Sequence, residues 1–252
     1  ETPNPCIDCN RYLKFGGLYR KAAELGCHYI VTGHYARVEF DEKLNRWLLK
    51  KSLNAAKDQS YVLYFLSQEQ RSHTKFPLGE FADKSQVRRL ADKNGLINAA
   101  KRESQDICFV PDGDYAAFIR QYRAADYPEG DFVTAYGSIL GRHKGVINYT
   151  IGQRKGLGIS YSEPLYVLKK SVSDNTVTLG TERELYSENL TARDFNWIMY
   201  AEPPAEPINV TVRTRYHAKE ATAVAEANAD GTVTIRFAEP QRAISAGQAV
   251  VL

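Results

Sequence analysis

The sequence predicts a fold of three parts: an α/β N-terminal part, a small central domain and a C-terminal β-barrel. Helix and strand patterns alternate through residues 1–112, which is typical of an α/β sheet. Near residue 125 the composition changes and glycines begin to recur, and from about residue 189 period-two strand patterns dominate. We therefore predict domains at residues 1–112, 113–188 and 189–252.

The composition is that of a globular protein and excludes several other classes. With 252 residues, of which 43% are hydrophobic and 25% charged, the chain is long enough to bury substantial cores. Its apolar runs are far too short to cross a bilayer, so we expect no membrane partner. Four cysteines without regular spacing favour a reducing, cytoplasmic setting over a disulfide framework. A net charge of +3 does not by itself indicate a nucleic-acid partner.

The first predicted element is an amphipathic helix that directly follows two cysteines, Cys6 and Cys9. Asn10 is the expected N-cap, so both thiols would lie beside the positive end of the helix dipole. That position, with Lys14 nearby, is expected to lower a thiol's pKa and favour the reactive thiolate. The apolar residues that recur at helical spacing, and are expected to face inward, are Phe15, Leu18, Ala22 and Leu25.

Two cysteines separated by two residues do not define one chemistry. The same spacing occurs in zinc sites, which need two further ligands nearby, and in redox motifs, which normally follow a strand. A third candidate thiol, Cys108, lies in a short apolar stretch, 107–110, that predicts a strand. It is either an inert buried thiol or a partner of the first two. From the residues alone, catalytic or redox use and a structural or metal role both remain open.

Three short stretches continue the α/β part. Residues 28–32 predict a buried strand that ends at Gly33-His34, where α/β sheets carry ligands, so His34 is a candidate binding residue. Residues 47–49 predict a second strand. Residues 57–66 predict a helix with Asp58 as N-cap, whose polar start either caps the helix alone or also holds a base or phosphate.

A further helix is predicted to follow a capping box at Asp83 and to end at Gly95. Its inward face would carry Val87, Leu90 and Ala91. Its other face is basic, and is either simply solvated or lies along a phosphate backbone. The basic residues are Lys84, Arg88, Arg89 and Lys93.

The central domain is predicted to begin with a helix at 114–123 and a linker at 127–130. The glycine-rich stretch 148–158, which includes Arg154, predicts a basic surface loop whose glycines let the backbone approach a partner. Strands are predicted at 166–168 and 176–179.

The C-terminal part has the pattern of successive strands. Residues 209–219 alternate strictly, with one face formed by Arg213, Arg215, His217 and Lys219. A turn at 228–231 leads into another alternating strand. Strands at this spacing predict a small barrel, and its cationic face indicates either RNA binding or a solvated surface.

Five ordered motifs resemble the tRNA-specific 2-thiouridylases. They are Thr-Pro-Asn-Pro-Cys at 2–6 with Cys9-Asn10, Thr-Gly-His-Tyr-Ala-Arg at 32–37, Lys-Asp-Gln-Ser at 57–60, Ser-Gln-Asp-Ile-Cys-Phe at 104–109, and Tyr-Thr-Ile-Gly-Gln-Arg-Lys-Gly-Leu-Gly at 149–158. The resemblance implies a PP-loop, adenine nucleotide alpha hydrolase-like α/β domain, a central domain and a β-barrel. It also implies ATP-dependent thiolation of the wobble uridine of tRNAs for lysine, glutamate and glutamine. The sulfur would come as a cysteine persulfide from a relay protein, with disulfide chemistry between thiols.

The resemblance also implies roles for single residues. Cys9 matches the family's nucleophile, Cys108 its persulfide carrier, and Gly33 a nucleotide-contacting glycine. His34 matches a residue near the target base. The expected tRNA contacts, to which the basic loop adds Arg154, are Asn4, Pro5, Cys6, His34, Lys57, Asp58, Gln59, Arg154, Arg215, Tyr216 and Gln248.

The sequence departs from the family pattern in ways that leave further functions open. The family's Ser-Gly-Gly-Val-Asp-Ser phosphate loop belongs upstream of Glu1 and does not occur, so this chain alone is expected to use ATP, with Mg²⁺, poorly. The chain also stops at Leu252, inside a predicted closing strand. Cys6 stands where some members have aspartate, so Cys6, Cys9 and Cys108 could hold an iron–sulfur cluster. A non-catalytic RNA-binding fragment and a zinc site at Cys6 and Cys9 also remain open.

Overall fold

A computed structural model describes residues 4–97, 108, 110, 113–123 and 127–252. The chain begins with three consecutive helical segments, α1 (Pro5–Asp8), a π-helix (Cys9–Leu18) and α2 (Tyr19–Glu24). The N-cap is Asn4, whose side chain accepts a hydrogen bond from the Cys6 amide at 3.1 Å. The predicted N-cap at Asn10 is therefore wrong. Proline at the first helical position favours the earlier start because it has no amide hydrogen that needs a partner.

The π-helix changes which side chains face the core. Phe15 is fully buried, whereas Leu18 and Leu25, which were expected to face inward, are 55% and 70% exposed. A π-helix closes its hydrogen bonds over five residues instead of four. The apolar spacing of an ordinary α-helix therefore loses its register within this segment.

The N-terminal domain contains two small sheets. β1 (Ile30–Val31) pairs in parallel with β4 (Thr74–Lys75), and β2 (Ala36–Asp41) pairs antiparallel with β3 (Arg46–Lys51). Of the predicted strand at 28–32 only β1 forms, while β3 confirms the strand at 47–49. β2 was not predicted.

The helix predicted at 57–66 is replaced by two 3₁₀ turns, Ala55–Lys57 and Ser60–Leu63. The Asp58 carboxylate accepts from the Ser52 amide at 3.0 Å and from the Ser60 hydroxyl at 2.8 Å, so the backbone turns between the two segments. The short helix α3 (Gln68–Ser72) follows.

The core of this domain forms around Phe15, and it also holds a buried guanidinium. Arg71 is almost inaccessible and donates to the Trp47 carbonyl at 2.9 Å and to the Leu66 carbonyl. The main apolar residues of this core are Ile7, Phe15, Ile30, Tyr61, Leu63, Leu66 and Phe76.

Two helices follow, as predicted. α4 (Lys84–Lys93) has Asp83 as its N-cap, which accepts from the Ser85 amide. Its predicted inward face is incomplete, because Leu90 is half exposed. α5 (Tyr115–Arg123) starts where Asp114 accepts from the Ala117 amide at 2.9 Å. Most of the stretch around Cys108, including two of the four residues of the strand predicted at 107–110, lies outside the described residues.

The central domain contains a four-stranded sheet in the order β6-β5-β8-β7. β5 and β8 run parallel and the other pairs are antiparallel. The predicted strands at 166–168 and 176–179 are confirmed within β7 and β8. The strands are β5 (Gly130–Val133), β6 (Ile139–His143), β7 (Tyr166–Ser171) and β8 (Thr176–Gly180).

The C-terminal domain contains an antiparallel sheet in the order β10-β11-β12-β9. Its four strands form an open sheet in the described structure rather than a closed barrel. The strand predicted at 209–219 ends at Val212, so the expected cationic strand face does not form. The strands are β9 (Tyr186–Ala192), β10 (Ile208–Val212), β11 (Ala221–Ala227) and β12 (Val233–Arg242).

Hydrogen bonds to backbone carbonyls join the C-terminal and N-terminal domains. Asn196 donates to the carbonyls of Tyr64, at 2.7 Å, and Leu66, at 3.0 Å. In the opposite direction Arg46 donates to the Ile198 carbonyl at 3.0 Å. These contacts fix the position of the segment before β10 against the core around Phe15.

Candidate functional site

Three thiols interact electrostatically near the start of the helical segment. Cys6 is in the first turn of α1, Cys9 begins the π-helix, and all four cysteines of the chain are free thiols. Partial burial raises the pKa of Cys6, and the neighbouring thiols of Cys108 and Cys9 raise it further, while Lys14 lowers it. The prediction of a lowered thiol pKa is therefore wrong for Cys6. Cys6 therefore interacts electrostatically with both Cys9 and Cys108.

His34 is a buried histidine of the N-terminal domain. It is 8% exposed, its Nδ1 is 2.7 Å from the Thr32 hydroxyl, and its ring packs against Phe76 at 5.7 Å. Burial, and then the charge of Lys14, lower the pKa of His34 to about 4. The imidazole is therefore neutral near pH 7 and acts as a hydrogen-bonding group rather than a cation. Lys14 thus acts on both His34 and Cys6.

Gly33 precedes His34 at the carboxyl end of the parallel strand β1, the edge where α/β sheets bind ligands. A Cβ added to Gly33 would lie 3.6 Å from Leu78 Cδ1, an ordinary contact distance. The protein around this glycine therefore leaves room beside the backbone.

The Lys-Asp-Gln-Ser segment is bonded into the domain interior. The Asp58 side chain is only 2% exposed and forms an ion pair with Arg213 at 3.4 Å. Gln59 accepts from the Tyr35 amide at 3.0 Å, so it is bonded to the residue that follows His34. Both side chains therefore hold neighbouring groups in place.

Tyr216 brings the C-terminal domain to this cluster. Burial raises the pKa of Tyr216, a hydrogen bond with Gln59 lowers it, and the charges of Asp58 and Cys6 raise it. Its ring also lies edge-on to Tyr61, with centroids 5.9 Å apart. The phenol therefore lies near the thiol of Cys6.

Two arginines after β10 connect the three domains. Arg213 donates to Glu220 at 2.9 Å as well as to Asp58, and Glu220 also binds Lys51 at 2.6 Å. Arg215 donates to the Ala243 carbonyl and the Ser245 hydroxyl, both at 2.6 Å, and to the Ile151 carbonyl at 3.3 Å. Alternating side chains of one segment thus contact the N-terminal domain and the central domain. The alternating basic residues were predicted, but the sequence pattern does not show that Arg213 and Arg215 reach buried acceptors in other segments.

The glycine-rich loop of the central domain is held at its base and exposed at its tip. Lys170 donates to the Tyr149 carbonyl at 2.7 Å, and Gly152 donates to the Val167 carbonyl at 2.8 Å. Gly152 has φ +86°, and a Cβ there would lie 2.9 Å from the Ala243 methyl. Arg154 lies beyond this anchored base and is exposed, as predicted for a basic surface loop.

The candidate residues thus fall into two groups. Cys6 interacts with Cys9 and Cys108, Lys14 acts on both Cys6 and His34, and Asn4 caps the helix that carries Cys6. Gln59 and Tyr216 lie against this cluster, and Asp58 and Arg215 support it from within the domain contacts. Gln248 instead lines a groove of about 970 Å³ between the β3 hairpin and the C-terminal sheet.

Two structural properties apply to the part of the chain that the structure describes. No group of three or more His, Cys, Asp or Glu side chains there is arranged to hold a metal ion. No helix there is both long and apolar enough to cross a membrane.

The three domains match known family models, which confirm the predicted fold class. Residues 1–112 match a tRNA methyl transferase HUP domain, and residues 116–181 match a tRNA methyl transferase PRC-barrel domain. Residues 187–252 match an aminomethyltransferase beta-barrel domain. The chain therefore has the domain organisation of a tRNA-modifying enzyme with a HUP domain.

Curated relatives narrow this class. The chain is 52% identical to tRNA-specific 2-thiouridylase MnmA 1 of Caldanaerobacter subterraneus subsp. tengcongensis over 251 residues, which is 100% of this chain and 68% of the relative. It is 49% identical to MnmA of Acetivibrio thermocellus, covering 100% of this chain and 69% of the relative. For MnmA of Clostridioides difficile the identity is 45% with the same coverage. The chain belongs to the tRNA-specific 2-thiouridylase family.

Proposed function

We propose that this protein is a tRNA-uridine 2-sulfurtransferase that thiolates the C2 position of the wobble uridine. The observation that carries the proposal is the electrostatic interaction of Cys6 with both Cys9 and Cys108, near Lys14, which also acts on the neutral His34. Sulfur transfer through a persulfide needs a carrier thiol and a second thiol that can reach it. We assign Cys108 as the carrier and Cys9 as the releasing thiol.

The transfer balances with two thiols. ATP is a substrate that converts the uracil O2 into an AMP leaving group, with release of pyrophosphate. The terminal sulfur of the Cys108 persulfide then bonds to C2 as the C–O bond breaks and AMP leaves. The Cys9 thiolate attacks the Cys108 sulfur, so a Cys9–Cys108 disulfide forms and the electron pair remains on the sulfur at C2. A thiol reductant must then supply two electrons to restore both thiols.

The surrounding residues hold the base and the reacting thiols in place. Because His34 is neutral, it offers a hydrogen bond near the target base without repelling the nearby cation Lys14. The target uridine must leave the anticodon stack to reach the thiols, and residues at the surface hold the flanking RNA. The residues that we assign to contact tRNA directly or to support those contacts are Asn4, Pro5, Cys6, Lys57, Asp58, Gln59, Arg154, Arg215, Tyr216 and Gln248.

The proposal includes the substrates and the setting. The tRNAs are those for lysine, glutamate and glutamine, the sulfur donor is a persulfide-carrying relay protein, and the setting is the cytoplasm. ATP acts with Mg²⁺, and Gly33 contacts the nucleotide. We also propose the domain boundaries 1–112, 113–188 and 189–252.

We do not expect these 252 residues to activate the uridine with ATP by themselves. They contain no Ser-Gly-Gly-Val-Asp-Ser loop, and such glycine-rich loops bind phosphates through their backbone amides. We therefore expect no pyrophosphate release from ATP by this chain alone, in the presence of Mg²⁺ and unmodified tRNA. Release that depends on tRNA would contradict this expectation.

Persulfide loading tests the proposed function. The purified chain is incubated with a cysteine desulfurase, its relay proteins and cysteine, and the sulfur adduct is read by intact-mass spectrometry. We expect Cys108→Ala to lose the adduct and Cys9→Ala to keep it. Cys27→Ala is the matched control, because Cys27 is an exposed thiol outside this group. An adduct that survives Cys108→Ala, or iron or zinc that co-purifies with the chain, would overturn the assignment.

A further inference from the structure

We propose that α4 and the adjacent Lys57 form a binding surface for the phosphate backbone of the tRNA that flanks the target base. We call these residues the α4 surface, and it consists of Lys57, Lys84, Arg88, Arg89 and Lys93. The inference rests on the proposed function and adds a contact surface outside the thiol cluster.

The basic residues of α4 are accessible to a partner. α4 contains no buried residue, and Arg88, Arg89 and Lys93 are exposed. Residues four apart lie on one face of a helix, so Lys84 stacks over Arg88, and Arg89 over Lys93. The charges of Arg88 and Lys57 both act on Lys84, which places three cations near one another. An anionic phosphate backbone is the charge-complementary partner for such a basic surface.

The structure fixes α4 beside the Lys-Asp-Gln-Ser segment. The 3₁₀ turn before α4, Pro77–Glu80, packs against β2 so closely that a Cβ on Gly79 would lie 1.7 Å from the Ala36 carbonyl oxygen. The Gly79 carbonyl accepts from the Leu53 amide at 3.0 Å and from the Ser52 hydroxyl at 3.3 Å. The Ser52 amide in turn donates to Asp58. Two short bonded turns therefore set the distance between Lys57 and α4.

The same bonds lead to the candidate active site. Gln59, two residues after Lys57, is bonded to the Tyr35 amide, and Tyr35 follows His34. An RNA strand whose base lies at His34 would pass Lys57 before it reaches α4. Continuity with the site where the base must lie favours RNA over an acidic protein as the partner.

The salt dependence of tRNA binding tests the inference. The double variant Lys84→Gln/Arg88→Gln removes two charges from an exposed helix while keeping a good helix former. The matched control is Lys43→Gln/Lys169→Gln, which removes two exposed charges from a hairpin turn and from the central sheet. The dissociation constant for an unmodified tRNA transcript is measured from 50 to 300 mM KCl, with far-UV circular dichroism to confirm the fold.

We expect the α4 variant to bind several-fold more weakly at low salt. Its plot of log affinity against log salt should be shallower by ~1.5, because each lost phosphate contact removes slightly less than one released counterion. Persulfide loading should stay unchanged, and the control variant should keep the wild-type slope.

Each contrary result has a distinct meaning. A wild-type slope in the α4 variant, with tRNA binding intact, overturns the α4 surface and leaves the proposed function in place. Slower persulfide loading with an unchanged tRNA slope assigns the surface to the sulfur donor and also overturns the inference. Wild-type protein that does not bind tRNA removes the proposed function, and this inference with it.

Discussion

The buried His34 predicts how the stability of the N-terminal domain depends on pH. Its pKa is about 4 in the folded protein, against about 6.5 in an unfolded chain. Between these values the unfolded state binds a proton that the folded state excludes. The stability that the folded protein gains by keeping His34 neutral is therefore complete above pH 6.5. It falls as the pH decreases and is lost at about pH 4.

The magnitude follows from the two pKa values. Linkage of one proton between pKa 6.5 and about 4 destabilises the folded state by about 2 kcal/mol at pH 5 relative to pH 7. The whole change, down to pH 4, is about 3 kcal/mol. This is a large effect, because the total stability of a domain is only about 5–15 kcal/mol.

Urea unfolding at pH 7, 6 and 5 measures the contribution of His34 to the free energy of unfolding. Carboxylates also titrate at the low end of this range, so the comparison is with His34→Asn, whose amide takes the place of Nδ1 beside the Thr32 hydroxyl without titrating. We expect the wild type to lose about 2 kcal/mol more than the variant between pH 7 and pH 5. Equal pH dependence in the two proteins would refute the idea that His34 is held neutral by burial.

Three substitutions test other contacts by thermal or urea unfolding. Tyr61→Phe removes the hydroxyl that donates to the Ala249 carbonyl at 2.7 Å, so we expect a loss of about 1 kcal/mol with unchanged persulfide loading; no loss would show that water replaces this bond. Asp58→Asn removes the buried carboxylate that pairs with Arg213, and we expect a loss of stability of about 2 kcal/mol. High salt should reduce this loss far less than it would for an ion pair on the surface. If high salt abolished the difference in stability between variant and wild type, the expectation would be contradicted. Gly152→Ala should cost more than Gly231→Ala, because both have φ near +80° but only the first would also clash with a methyl group. Equal costs would show that the loop adjusts freely.

Local signals in the sequence predicted several elements well. The capped helix α4, the helix α5 and the strands β3, β7 and β8 all form where propensity, caps and alternation agree. The start of the first helix was misplaced because Asn4-Pro5 and Asn10 are both good cap signals. Proline at the first helical position and the packing of Ile7 into the core both favour the earlier start.

Non-local bonds account for the remaining differences. The helix predicted after Asp58 does not form, because its carboxylate is bonded to Ser52 and to Arg213 from another domain. Arg213 likewise leaves the predicted strand to reach that carboxylate. Alternation in a sequence reports which residues share a face, but not which distant acceptor a side chain will reach. The pairing of the thiols was expected from the family resemblance, whereas the contacts of Gln59 with Tyr35 and of Tyr216 with Tyr61 depend on the fold.

The contacts between domains have a consequence for how sequences of this fold can change. Arg46, Asn196, Arg215 and Tyr61 all reach across the domain boundaries, and their acceptors are mainly main-chain carbonyls. Any residue type offers the same carbonyl, so the accepting positions are free to drift as long as the backbone path is kept. The donor side chains have no such freedom, and an insertion beside an acceptor displaces the carbonyl itself. At these domain boundaries, the residues whose carbonyls accept should therefore tolerate substitution. The same segments should not tolerate insertions or deletions.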